Sequence, residues 1–146
     1  MSNNNKATIH FADNDFFIGI TPSGHAQTIE TQSERASAAT PMELVLLALG
    51  SCTGVDVISI LRKKRQQVTD YCIEVSGDRR EEFPRSYTRL HVKHIVRGRG
   101  VSEAAVAHAI ELSETKYCSV AATLRGSAEI VTTYEILEAD AENAQA

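Results

Sequence analysis

TPMELVLLALGSCTGVDVISILRKKR, residues Thr40–Arg65, decides how the chain folds. Thr40 is suited to cap a helix, Pro41 fits a first position where no backbone N–H is needed, and Glu43 can reach back to close a capping box. A helix is therefore expected to start at Pro41. Every residue from Leu44 to Leu49 is apolar, so this half has no solvent face and must be covered by its own chain or by a partner. At the far end Arg62, Lys63, Lys64 and Arg65 stand where the helix dipole favours cations. Between the ends, Gly50 lets another backbone or a ligand come close, and Cys52 puts a thiol beside it. That thiol serves either packing or chemistry. Residues four apart share a face, so Cys52 aligns with Asp56, with Ser59 near the same line, as a polar seam in an apolar helix.

Working outward, Thr8–Phe11, Phe16–Ile20 and Ala26–Glu30 are short segments separated by turn residues at Asp13–Asp15 and Ser23–Gly24, which predicts a three-strand meander. A polar linker, residues 32–39, contains Arg35 and leads to the Thr40 cap. After the helix, Val68–Ser76 alternates in the strand manner, with Tyr71, Ile73 and Val75 on one face and Asp70, Cys72 and Glu74 on the other. The charged stretch 77–86 connects to a second strand, Tyr87–Arg97, whose Leu90, Val92 and Val96 turn to the core. Ser102 caps a helix expected over 103–116, with Val106, Ala109, Ile110 and Leu112 as its apolar stripe. A short further helix starting near Cys118 would put that thiol at a helix N-terminus, where the dipole favours a thiolate. Gly126 ends it, and Ala128–Ile136 is a last strand. This order predicts an α+β fold with helices on one face of antiparallel sheets. One domain over 1–146 is expected, with residues 1–6 and the acidic tail 138–146 flexible.

Composition excludes several classes. A net charge of −4 argues against a general nucleic-acid binder. The N-terminus is polar and lacks the apolar core of a signal peptide, and no uninterrupted apolar run approaches the roughly 18 residues of a membrane helix, so no membrane association and a cytoplasmic location are expected. Three cysteines, Cys52, Cys72 and Cys118, are too few and too scattered for a disulfide framework and start as thiols, Cys72 as a surface one. The five histidines and the cysteines show no metal-ligand spacing, so no metal is expected; His91 and His94 fall on opposite faces of a strand. Gly98-Arg-Gly100 is too short for a phosphate loop, no Gly-x-Ser-x-Gly elbow occurs, and no cofactor is expected.

The run Pro41–Val57, taken with Lys116-Tyr-Cys118-Ser-Val-Ala, resembles the OsmC/Ohr family of osmotically inducible and organic-hydroperoxide-resistance proteins, and Arg79–Arg85 makes it most similar to the YhfA-like branch. The resemblance implies an intertwined homodimer of α+β chains, with long central helices packed together and N-terminal strands completing the sheets. It also implies a thiol peroxidase that reduces organic hydroperoxides: Cys52 matches the cysteine that attacks the peroxide, Cys118 the one that resolves the sulfenic acid, and a dithiol or lipoyl-type reductant resets the pair. Two departures bear on activity. Where the family places an acidic residue directly after the motif proline this chain has Met42, with Glu43 about 100° further round the helix, and the strands before Arg35 contain no arginine. Arg35, Arg85 or a residue of a partner chain would have to substitute, and a weaker or differently selective peroxidase is expected. Asp56 is a candidate for orienting a water or a side chain. The competing reading is a binding protein whose interface pocket takes a small apolar or electrophilic ligand past cysteines that merely line it; a third is a stress protein whose thiols only pack.

Overall fold

In the computed structural model, which describes residues 5–31 and 34–140, the chain divides into two compact units, 1–45 and 46–146. In the first, β1 (Thr8–Asp13), β2 (Phe16–Ile20) and β3 (Ala26–Glu30) form the expected meander, antiparallel throughout. Asn14, at φ 41°, and Gly24, at φ 88°, supply the left-handed residues that its two tight turns need. After β3, Glu30 N–H donates to the Ala39 carbonyl at 3.1 Å, and Ser37 Oγ donates to Glu30 Oε2 at 2.6 Å. These bonds deliver the chain to Thr40.

There the capping box closes: Thr40 N–H donates to Glu43 Oε1 at 2.9 Å and Glu43 N–H donates to Thr40 Oγ1 at 3.2 Å. The helix α1 runs from Pro41 to Lys63. It ends with Arg65 in the left-handed region at φ 56° and Gln66 N–H bonded back to the Leu61 carbonyl at 3.0 Å, which satisfies a carbonyl the helix leaves open. Thr40→Ala is expected to cost about 1 kcal/mol, read from the urea midpoint; an unchanged midpoint would show that the box contributes nothing.

In the second unit α1 lies against β4 (Gln67–Arg79), which pairs antiparallel with β5 (Tyr87–Arg99). Gly50 and Gly54 make the approach close: a Cβ on Gly50 would meet Val75 Cγ2 at 2.9 Å, and one on Gly54 would meet Ile73 Cδ1 at 2.4 Å. The space over Gly50 is thus filled by the sheet, and the expectation that a ligand could approach there is corrected. Leu49, Val57 and Leu61 are buried on the same side, and Val57 and Leu61 share a cluster with Val96, Val106, Ala109 and Ile110. At 23 residues α1 is long and apolar enough on average to cross a membrane by length and composition, although, as expected, no uninterrupted apolar run in it approaches 18 residues. Its packing against β4 is that of a core helix.

β5 leads into α2 (Glu103–Leu112), capped by Ser102 Oγ, which accepts from Ala105 N–H at 3.2 Å. The helix expected to reach residue 116 stops at Leu112, and a π turn over Ser113–Tyr117 replaces its last turn. α3 (Ser119–Leu124) follows, then β6 (Glu129–Glu138). β6 pairs with β5 in parallel, a correction to an all-antiparallel sheet. The helices between the two strands form a crossover long enough to bring the chain back in the same direction. β6 takes in Glu138, whose carboxylate accepts from Gly100 N–H at 3.1 Å; most of the segments expected to be flexible, 1–4 of the leader and 141–146 of the tail, lies outside the described residues.

Candidate functional site

Cys52 is half-buried on α1 and Cys118 is buried at the start of α3. Although 66 positions apart in the sequence, their side chains are neighbours, near enough for Cys52 to push up the pKa of the Cys118 thiol. Cys118 Sγ accepts from Ala121 N–H at 3.4 Å, as a helix cap does. Its pKa is nevertheless pushed up to about 11, first by burial, which outweighs that N–H, and further by Cys52 and the negative charge of Asp56. The expectation that a helix N-terminus would favour the thiolate is corrected: six residues of helix do not offset loss of water around the sulfur.

Asp56 is joined to the same place through Ser113, whose hydroxyl donates to Asp56 Oδ2 at 2.9 Å. Having given its only proton, Ser113 Oγ accepts from Thr53 Oγ1, also at 2.9 Å. The Ser113 carbonyl in turn accepts from Cys118 N–H at 2.8 Å across the π turn. A void of about 10 Å³ beside Cys118, walled by Leu49, Thr53 and Val92, has no room for a peroxide. An open cleft of about 390 Å³, lined by neither cysteine, is formed by Asp56, Ser59 and Tyr117, by the apolar side chains of Val55, Ile60 and Leu112, and by Lys63 and Lys64.

Beneath the helix, His94 is 0% exposed, its Nδ1 shares a 2.5 Å hydrogen bond with Tyr71 Oη, and its Nε2 has no partner among the described residues. Burial lowers its pKa from 6.5 to about 4, so it is neutral at pH 7, and burial with the Asp56 charge raises that of Tyr71. Protonation therefore favours the unfolded chain. Stability from this residue is complete above pH 6.5 and lost as pH falls towards 4, by on the order of 2 to 3 kcal/mol. Urea midpoints at pH 7 and 4.5 measure the loss, and His94→Leu should flatten that part of the profile; an equally steep profile in the variant would assign the loss to other groups.

The remaining candidates have local duties. The Glu43 carboxylate closes the capping box, and the bonds from Thr40 lower its pKa. Arg35 Nη2 bonds Asp13 Oδ1 at 3.1 Å, lies 3.6 Å from Glu30 Oε2, and its guanidinium sits 5.7 Å from the Phe16 ring centroid, so it ties the three N-terminal strands together. The Arg85 guanidinium stacks over Phe83 at 4.5 Å, and Cys72 is exposed. Sequence reasoning overlooked Ser113 and weighed His94 only as a metal ligand, although each continues a pattern. Ser113 extends the Val106, Ala109, Ile110 stripe by a further helical step, and His94 fills the alternation of Leu90, Val92 and Val96.

Comparison with known proteins matches this architecture. The family model described as OsmC-like protein covers residues 33–133. Protein YhfA of Escherichia coli strain K12 is 41% identical over 134 residues, which is 92% of this chain and 99% of that protein. A hypothetical protein from Aquifex aeolicus VF5, of solved structure, is 34% identical with a TM-score of 0.82, over 93% of this chain and 98% of that one. An organic hydroperoxide resistance protein from Legionella pneumophila shares the fold at 11% identity, with a TM-score of 0.65 over 92% of this chain and 98% of its own. From the family model and the identity to YhfA, the chain belongs to the OsmC-like protein family.

Proposed function

We propose that this chain is a cytoplasmic, homodimeric thiol peroxidase that reduces organic hydroperoxides. The observation that carries the reading is that Cys52 and Cys118, so far apart in sequence, are near enough for one thiol to perturb the other. Their environments divide the labour: Cys52 is partly open, whereas Cys118 is 4% exposed and kept as a thiol by burial. In the first step the Cys52 thiolate attacks the outer peroxide oxygen, the O–O bond breaks, and the alkoxide leaves as an alcohol on taking up a proton. In the second, Cys118 sulfur attacks the Cys52 sulfenic acid, an S–S bond forms, and the thiol proton leaves with the hydroxyl as water. A dithiol of the lipoyl type returns both sulfurs to thiols by exchange. The cleft beside Asp56 and Tyr117 suits an organic body with apolar carbon, since Val55, Ile60 and Leu112 face it.

Leu47 and Val55, 64% and 66% exposed on α1, leave apolar surface that a second copy would cover, which supports the dimer. Three unpaired thiols suit a reducing compartment. The naming of the Legionella pneumophila relative as an organic hydroperoxide resistance protein points the same way. With Met42 after the motif proline and Glu43 held in its cap, the thiol lacks a carboxylate in that position, and modest rates are expected. The test mixes reduced protein with excess cumene hydroperoxide and a dithiol, follows peroxide loss, and maps the oxidised cysteines by mass spectrometry. Many turnovers with a Cys52–Cys118 disulfide establish the reading; peroxide loss of at most about one equivalent per reactive thiol would replace it with a ligand-binding protein.

A further inference from the structure

Ser113 bonds to both cysteine-bearing elements and has no part in the chemistry proposed above. Its carbonyl accepts from Cys118 N–H at 2.8 Å, the contact that closes the π turn over Ser113–Tyr117. Its hydroxyl, on a residue 0% exposed, is held between Thr53 and Asp56 by two hydrogen bonds of 2.9 Å. Thr53 directly follows Cys52 on α1, and Asp56 stands one helical turn beyond it. One residue therefore grips both sides of the thiol pair.

The turn itself is the reason a grip is needed. A π turn takes one residue more than an α turn, so it changes the direction in which the following residue is presented, by about 100° relative to a continued α-helix. The extra residue thus sets the direction in which Cys118, which directly follows the turn, is presented. Short π segments are poorer in hydrogen-bond geometry than α-helix and persist where surrounding contacts hold them. Here the contacts are the satisfied hydroxyl of Ser113 and the Arg125 guanidinium, which donates to the Glu114 carbonyl. A buried hydroxyl bonded on both sides is costly to remove because buried Thr53 would lose a partner away from water and half-buried Asp56 would lose its bond to the turn.

The geometry points to Ser113 as the positioning residue that sets the distance between Cys52 and Cys118, and so how readily the two thiols close into a disulfide. The inference rests on the peroxidase reading for its purpose, but its test does not need peroxide. Oxidised glutathione accepts the two electrons: the protein dithiol becomes a disulfide and two glutathione thiols are released. The glutathione ratio at half-oxidation gives the effective concentration of one protein thiol at the other.

Ser113→Ala is expected to lower that effective concentration about tenfold, the change one buried hydrogen bond produces. Asp56→Asn, which keeps an oxygen to accept from Ser113, should stay within about threefold of wild type. A residue that only stabilises the fold would lower the urea midpoint of the reduced protein and leave the effective concentration of folded Ser113→Ala unchanged, and that result overturns the inference. So does a wild-type chain that forms no Cys52–Cys118 disulfide with glutathione. If Ser113→Ala does not fold, Thr53→Val and Thr53→Ser decide: a several-fold fall in the first alone supports positioning, and equal values refute it. A Ser113-dependent disulfide in a protein that consumes no peroxide would remove the peroxidase reading and leave this one standing.

Discussion

Cys52→Ser is expected to abolish peroxide consumption, by on the order of a thousandfold or more, because a serine hydroxyl is neither ionised near pH 7 nor a competent nucleophile for a peroxide oxygen. Cys118→Ser should behave differently. Its Cys52 is half-buried and intact, so the first equivalent of peroxide is still consumed and a sulfenic acid accumulates, trappable by dimedone. No internal disulfide can then form, turnover depends on the dithiol reaching Cys52 directly, and excess peroxide drives that residue on to the sulfinic acid. Cys72→Ser, which removes an exposed thiol, should leave both steps alone. Stopped-flow peroxide loss with mass mapping separates the three variants. Full turnover in Cys52→Ser would end the assignment, and full turnover in Cys118→Ser would leave a one-cysteine mechanism. On the proposed peroxidase reading, the burial of Cys118 would give the pair its order: peroxide would meet the more open sulfur first, and the shielded one would react only with the sulfenic acid.

How far this site was legible in the sequence depended on whether a pattern is local. The cap of α1 was readable because Thr40, Pro41 and Glu43 lie within one turn and bond to one another. The alternation of Tyr71, Ile73 and Val75 was readable because a strand repeats every second residue, and all three are partly buried on one face. What could not be read depends on partners far along the chain. The parallel pairing of β5 and β6 is set by the path of the helices between them. Nothing in Ser113 or in its neighbours announces that Thr53 and Asp56 will flank it. The pKa of Cys118 failed for a related reason: helix position is a local property, whereas burial belongs to the whole fold. Gly50 was rightly seen as a place of close approach, but only the fold tells that Val75 is what approaches.

Gly98→Ala is expected to cause the largest loss of stability among single-methyl additions, about 3 kcal/mol or more. Gly98 lies in β5, the middle strand of its sheet, opposite Val68 of β4 and Glu138 of β6. A Cβ there would stand 2.2 Å from the Gln67 carbonyl oxygen and 2.5 Å from Val101 Cγ2. The valine methyl can turn away. The carbonyl cannot, because it is backbone at the start of β4, where the pairing register already shifts between Val68 and Asp70. Relief requires the start of β4 to move, at the expense of its pairing with β5, where Gln67 stands opposite Arg99 and Val68 opposite Gly98. Gly54→Ala, whose new methyl would meet only the flexible tip of Ile73, should cost less, and Gly126→Ala, with nothing within 4 Å, should stay within about 0.5 kcal/mol of wild type. Urea unfolding of the reduced proteins gives the order, provided the slopes agree. A Gly98→Ala midpoint matching that of Gly126→Ala would mean that β4 yields at its first residue. Because the displaced atoms belong to Gln67 and Val101 and not to the turn that carries Cys118, peroxide consumption per folded Gly98→Ala molecule should remain that of wild type.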